Sequence, residues 1–220
     1  MADRWATFDC YGTLVDWMSG IRATLARLFP DADPDELLAR YHEVERRVQA
    51  GRGIAYRDVM AESLADLAQS ERLTVPKGEA QALADSLPSW PVFPEVPAAL
   101  RELRTRSWKL AILSNTDGDF LTASLEVIGV AVDVRIVAGE IGSYKPAFEH
   151  WEVFFRQTGA DRRRHVHVAA SLFHDVEPCA ALGLPCVWIN RLAERSPLPR
   201  AATLENLTDL PATLDELVPA

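Results

Sequence analysis

Asp9 closes a short apolar run, Trp5-Ala6-Thr7-Phe8, and a loop of small residues, Gly12-Thr13, follows it. Such a carboxylate either caps a turn or, at the carboxyl edge of an open α/β sheet where ligands bind, serves as a nucleophile. Three more apolar runs lead into polar groups. Leu110–Leu113 runs into Ser114 and Asn115, Val134–Val137 passes through a glycine-containing loop to Lys145, and His165–Ala169 is followed by Asp175. In a parallel sheet these four ends share one edge, so two carboxylates, a lysine, a hydroxyl and an amide can converge there. Of 23 basic residues only Lys77, Lys109 and Lys145 are lysine, which gives Lys145 added weight. Asp9 and Lys145 as a purely structural ion pair is the competing reading, but a buried pair is poor evidence of stabilisation.

The elements that must position these groups follow from periodicity. A strand over Arg4–Asp9 gives way after Asp16 and Trp17 to helical periods, with no strand-like run before residue 108. Asp33-Pro34-Asp35-Glu36 reads as a helix start with Asp33 as N-cap, and Leu37, Leu38, Tyr41, Val44 and Val48 form its apolar stripe. At ~100° per residue Arg40 lies about 90° from the centre of that stripe, on its rim, where a long cation can reach into a cleft. Pro88, Pro91, Pro94 and Pro97 break helix and central strand alike and mark a linker. Beyond them strands alternate with helices as far as Cys186–Ile189, taken as the last strand. The expected architecture is a doubly wound, Rossmann-like parallel sheet over residues 1–15 and 91–220, with an all-helical cap, 16–90, inserted after the first strand.

A net charge of −9 argues against nucleic acid as a partner while leaving room for a small anion in a local positive pocket. No apolar run is long enough to span a bilayer, and the first residues lack the layout of a signal peptide, so a cytoplasmic location is expected. Cys10, Cys179 and Cys186 form no CxxC pair and read as buried, reduced thiols. His165 and His167 alternate on a strand and read as structural. His174 receives no role, and Arg162–Arg164 reads as a solvated loop.

Asp9-Cys10-Tyr11-Gly12-Thr13-Leu14, Leu113-Ser114-Asn115, Tyr144-Lys145-Pro146 and Ser171-Leu172-Phe173-His174-Asp175 resemble the four motifs of the haloacid dehalogenase superfamily. Most members are magnesium-dependent phosphatases with a second Asp two residues after the nucleophile and an acidic residue before the Ser of the last motif. Here those positions hold Tyr11 and Ala170, so the chain is most similar to the 2-haloacid dehalogenase branch, which uses no metal or other cofactor. The resemblance implies hydrolysis of short 2-haloalkanoic acids to 2-hydroxy acids through an ester on Asp9. Lys145 would keep Asp9 ionised, Asp175 would hold Lys145 and prepare the water, and Thr13 would fix the Asp9 carboxylate. Ser114, with main-chain amides and the neighbouring Cys10 and Tyr11, would receive the substrate carboxylate, and Arg40 and Asn115 would cradle the halide. Relatives of this kind are often dimers, so a homodimer is the implied assembly. The chain departs from the dehalogenase pattern at Ala170 and Leu172, where Ser and Asn are usual, at Trp151, where an aromatic hydroxyl is expected, and at His174. A magnesium-dependent phosphatase, a hydrolase opening a strained C–N ring and a non-catalytic small-acid binder are the competing functions.

Overall fold

A computed structural model describes residues 2–50 and 52–220. Met1 and Gly51, which fall within the expected segments 1–15 and 16–90, lie outside the described residues. Strand β1 (Arg4–Phe8) is buried along its whole length, as a strand covered by helices on both faces must be. Four helices follow: α1 (Trp17–Leu28), α2 (Pro34–Gln49), α3 (Tyr56–Ser70) and the short α4 (Ala82–Ser86). Asp33 caps α2 as its sequence requires, its carboxylate accepting from the Asp35 and Glu36 amides. The chain returns beside its point of departure. The Asp16 amide donates to Pro91 O at 2.7 Å and the Phe93 amide to Leu14 O at 3.0 Å, so the two crossing segments are tied together.

The remainder alternates through α5 (Val96–Thr105), β2 (Trp108–Ser114), α6 (Gly118–Ile128), β3 (Val134–Val137), α7 (Ala138–Ile141), α8 (Glu149–Thr158) and β4 (His165–Ala169). It continues with α9 (Glu177–Leu182), β5 (Cys186–Ile189), β6 (Ala202–Leu204) and α10 (Leu210–Leu217). The six strands form one parallel sheet in the order β3-β2-β1-β4-β5-β6. Cys186–Ile189 is therefore not the last strand: β6 pairs beyond it. The loop expected between β3 and Lys145 carries the one-turn α7, and the helix expected from His174 begins as a single π turn over Leu172–Val176.

Strand alternation divides the core in two. Ala6, Phe8, Ile112 and Val168 face a cluster continuous with the apolar stripes of α1–α3, while Trp5, Leu113, Trp151 and Trp188 pack on the opposite face. The chain leaves β1 toward β2 and β3, then crosses back to β4. Its topological switch point lies between β1 and β4, where a crevice opens outside the strand ends.

Candidate active site

The switch point brings Asp9, one residue past β1, beside Asp175 in the turn after β4. Lys145 Nζ sits between them, donating to Asp9 Oδ1 at 2.9 Å, Asp175 Oδ1 at 2.7 Å and Leu113 O at 2.8 Å. All three protons of an ammonium are thereby used, and the side chain is 1% exposed. Thr13 Oγ1 donates to Asp9 Oδ2 at 2.8 Å and accepts from the Ala170 amide at 2.9 Å, bridging the two strand ends. The turn that carries Thr13 depends on Gly12, whose φ of +95° is left-handed and whose absent Cβ would meet Trp17 Nε1 at 2.9 Å.

One lysine serving two carboxylates serves them unequally. Burial raises the Asp9 carboxyl above its usual range, the Lys145 charge and the Thr13 hydrogen bond opposing and the Asp175 charge adding. Burial also pushes Asp175 upward, but there the Lys145 charge and the His167 hydrogen bond prevail and hold it below its usual range. Lys145 is itself raised: burial works against its charge, and the two carboxylates overcome it. Lys145, expected to keep Asp9 ionised, is in contact with it, and burial outweighs the Lys145 charge in the direction of the Asp9 pKa. The result is an Asp175 ionised at rest beside a poorly compensated Asp9, an environment that divides two carboxylates into different roles.

Ser114 is fully buried at the end of β2, lines the cleft, and its Oγ has no partner among the described residues. Asn115 spends its amide on the Lys145 main chain, donating to its O at 2.9 Å and accepting from its N at 2.7 Å. That clamp explains how a loop residue is held at the sheet edge, and it leaves Asn115 one free N–H. The Tyr11 phenol is turned to Ser124 Oγ on α6 at 3.0 Å, and burial raises its pKa. Cys10 is fully buried and does not line the cleft, so its thiol is no part of a substrate surface. Its main-chain carbonyl instead accepts from Thr13, Leu14 and Val15, closing the loop.

Arg40 lies away from the cleft. Its side chain is 63% exposed and faces Glu71, just past the end of α3, at 3.8 Å. The face of α2 that looks into the cleft carries His42, Glu45, Arg46 and Gln49, centred about 170° round the helix from Arg40 at ~100° per residue. An apolar stripe has two rims, and periodicity alone does not say which one faces the strand ends. Arg46 lies above Phe173, 5.8 Å from the ring centroid. His42 stacks on Trp17 at 4.5 Å, and burial with the nearby Arg46 charge pushes its pKa down to about 4. Burial pushes Glu45 up to about 7, the Tyr56 hydroxyl (2.7 Å from Oε1) and Arg46 opposing. His174, without an assigned role, lines the cleft with Nδ1 3.2 Å from Ser171 Oγ, and burial takes it down to about 4. The whole cleft encloses about 710 Å³, within the range of small-molecule sites.

A lysine-bridged carboxylate pair thus lies at the switch point of a doubly wound parallel sheet whose first strand is followed by the helices α1–α4. Residues 4–183 match the family model of the haloacid dehalogenase-like hydrolases, and the chain belongs to that family. It is 30% identical over 190 residues to haloacetate dehalogenase H-2 of Moraxella sp. (strain B), covering 84% of each chain. It is 27% identical to (S)-2-haloacid dehalogenase of Pseudomonas sp. (strain YL), covering 84% of this chain and 81% of the relative. Its fold superposes on the crystal structure of an L-2-haloacid dehalogenase with a TM-score of 0.88 at 22% identity, over 98% of this chain and 100% of the other. No helix among the described residues is long and apolar enough to cross a membrane.

Proposed function

We propose that this chain hydrolyses short 2-haloalkanoic acids to 2-hydroxy acids without a metal, through an ester on Asp9, with residues 16–90 acting as the cap. A carboxylate oxygen of Asp9 attacks the halogen-bearing carbon, and the carbon–halogen bond breaks with its electron pair leaving on the halide. Water then adds to the ester carbonyl carbon of Asp9. Asp175 takes one proton from that water and returns it to the departing alkoxide of the hydroxy acid; the other proton leaves to solvent as Asp9 returns to its ionised form. Ser114 Oγ is a free donor for the substrate carboxylate, and the remaining Asn115 N–H serves the halide. Arg46, in no ion pair among the described residues, takes the place expected for Arg40 as the cap cation over the anion.

The observation that carries this reading is the position of Tyr11. Where a leaving oxygen would need an acid, the chain has a phenol of raised pKa tied to Ser124, and a departing halide needs none. The donor set does not fit magnesium, which demands near-octahedral oxygen ligation. Both Asp9 oxygens are engaged, Ala170 supplies no carboxylate, and of the carboxylate oxygens of Asp9 and Asp175 only Asp175 Oδ2 lacks a partner among the described residues. The test is a halide-release assay with 2-chloropropionate and fluoroacetate, with and without chelator. Release is expected to survive chelation and to vanish in Asp9→Asn. Arg46→Ala should raise KM by about tenfold, the loss of one ionic contact, while Arg40→Ala should leave it unchanged. Turnover that requires magnesium and prefers a phosphate ester would sink the proposal.

One observation favours a second reading. Glu45 holds a proton near neutrality in the cleft wall, and a strained C–N ring needs its nitrogen protonated as it opens. Azetidine-2-carboxylate belongs on the same substrate panel, and only its turnover should depend on an acid at position 45.

A further inference from the structure

Asp175 is anchored from below. The side chains at Ala170 and Leu172, after β4, carry no polar group, and Asp175 Oδ2 is buried without a partner among the described residues. Beneath it a run of hydrogen bonds enters the sheet. His167 Nε2 is 3.0 Å from Asp175 Oδ1, His167 Nδ1 is 2.8 Å from Thr7 Oγ1, and Thr7 Oγ1 is 2.8 Å from His165 Nε2. The pairing of β1 with β4 sets Thr7 directly opposite His167, and all four side chains are fully buried.

The direction of each bond can be worked out. An ionised carboxylate only accepts, so His167 Nε2 donates to Asp175. The Thr7 hydroxyl has one proton and two imidazole neighbours. Were that proton given to His165 Nε2, the neutral His165 would carry its own proton on Nδ1, a buried atom with no partner among the described residues; an orphaned buried N–H is rare and costly. Burial, the largest effect, holds His165 neutral, down to about 3. The Thr7 proton therefore goes to His167 Nδ1, and His165 Nε2–H donates to Thr7. The second partner of His167 thus selects the tautomer that faces Asp175.

We propose that His165, Thr7 and His167 form a positioning relay that fixes the rotation of Asp175, so that its free Oδ2 is presented to the hydrolytic water. This rests on the reading of Asp175 as the base of the ester-hydrolysis step. None of the three touches substrate, so the relay acts on the second step and leaves the attack of Asp9 on carbon intact.

The test is single-turnover analysis of the full chain with 2-chloropropionate, following halide release and the mass of the Asp9 ester. In His167→Leu the first equivalent of halide should appear at close to the wild-type rate while the ester accumulates, and kcat should fall about a hundredfold, the upper range for loss of an outer-shell hydrogen bond. His167→Gln, whose amide N–H can stand in for Nε2–H, should recover most of that loss. Thr7→Val, nearly isosteric and not reliant on replacing an imidazole, should accumulate ester to a lesser degree. Loss of both steps in proportion, or an unaltered second step, would overturn the relay. Ring 15N spectra decide the matter independently of turnover. Wild-type His167 should carry its proton on Nε2, and Thr7→Val should mix the tautomers; an Nδ1–H form in the wild type overturns the relay. A wild-type protein that releases no halide while showing the expected tautomer would refute the proposed function and leave standing only the hydrogen-bond arrangement that holds Asp175.

Discussion

At the scale of single residues the site is a problem in sharing one cation. Lys145 lies closer to Asp175 than to Asp9, and Asp175 also receives His167, so the compensation Asp175 gains is compensation Asp9 lacks. A partly neutralised carboxylate held out of water is reactive for the same reason that it is costly. The strand-end residues were legible in the sequence because chain topology dictates them. The occupants of the facing α2 wall were not, since their role depends on which rim of a helix turns toward the strand ends. Glu45 on that wall gives a pH signature. Its carboxyl faces Tyr56 from α3, Tyr144 from the loop bearing Lys145, and Tyr41 and Arg46 from its own helix. Below about pH 7 it is neutral; above, it becomes a second negative charge facing an anionic substrate. KM for a 2-haloacid should therefore rise by roughly threefold to tenfold between pH 6 and pH 8, a repulsion of about 0.7–1.4 kcal/mol. In Glu45→Gln that slope should flatten; a wild-type KM independent of pH would refute the assignment.

At the scale of elements, α1 is held against the returning end of the insertion by a contact that only the absence of a side chain permits. Gly20, in the interior of α1, lies so close to the Trp90 indole on the returning segment that an added Cβ would fall 2.3 Å from Cγ and Cδ1. Trp90 cannot simply swing away, because its Nε1 donates to Ser86 Oγ at 3.0 Å and its ring stands edge-on to Tyr11 at 5.9 Å. Nothing in the sequence marks Gly20 as special; a glycine within a helical period reads as a tolerated weakness. Gly→Ala inside a helix ordinarily gains about 1 kcal/mol, whereas overpacking a tight contact costs about 1–3 kcal/mol. With a contact this short the second effect should win. Gly20→Ala is expected to lower Tm by several degrees and, through Trp90, to displace Tyr11 in the cleft wall. An unchanged or raised Tm would show that the indole yields freely.

At the scale of the whole molecule, the fold runs one strand and one helix beyond Cys186–Ile189, where periodicity places the last strand. β6 is three residues on a sheet edge, too short to show alternation, and its place is set by pairing with β5 rather than by its own pattern. The helix after it closes the fold. Asp215 on α10 accepts from Arg4 Nη1 at 2.7 Å, Arg106 Nη1 at 2.7 Å and Trp108 Nε1 at 2.9 Å, while Arg4 also donates to Val218 O at 3.1 Å. The last helix is thus bolted to the first residue of β1, the strand that ends at Asp9. Arg4 is 6% exposed, so losing Asp215 would leave a buried cation short of its counter-charge. A fully buried pair broken in this way costs about 3–5 kcal/mol, but the Asp215 side chain is 32% exposed and water can take up part of the loss. A destabilisation of about 2 kcal/mol is expected for Asp215→Ala, read as a lower urea midpoint at unchanged slope. Burial raises Asp215, but its hydrogen bonds from Trp108 and Arg106 and the Arg4 charge prevail and lower it from 3.8. Its contribution should therefore be complete at neutral pH, fade as pH falls below the usual carboxylate value, and be gone beneath the lowered one. Wild type and Asp215→Ala should accordingly converge in stability in strong acid, while activity per folded molecule stays equal at pH 7 because the bolt lies at the opposite end of β1 from the site. Equal midpoints at pH 7 would show that Arg4 is satisfied by the carbonyls of Arg106 and Val218 alone.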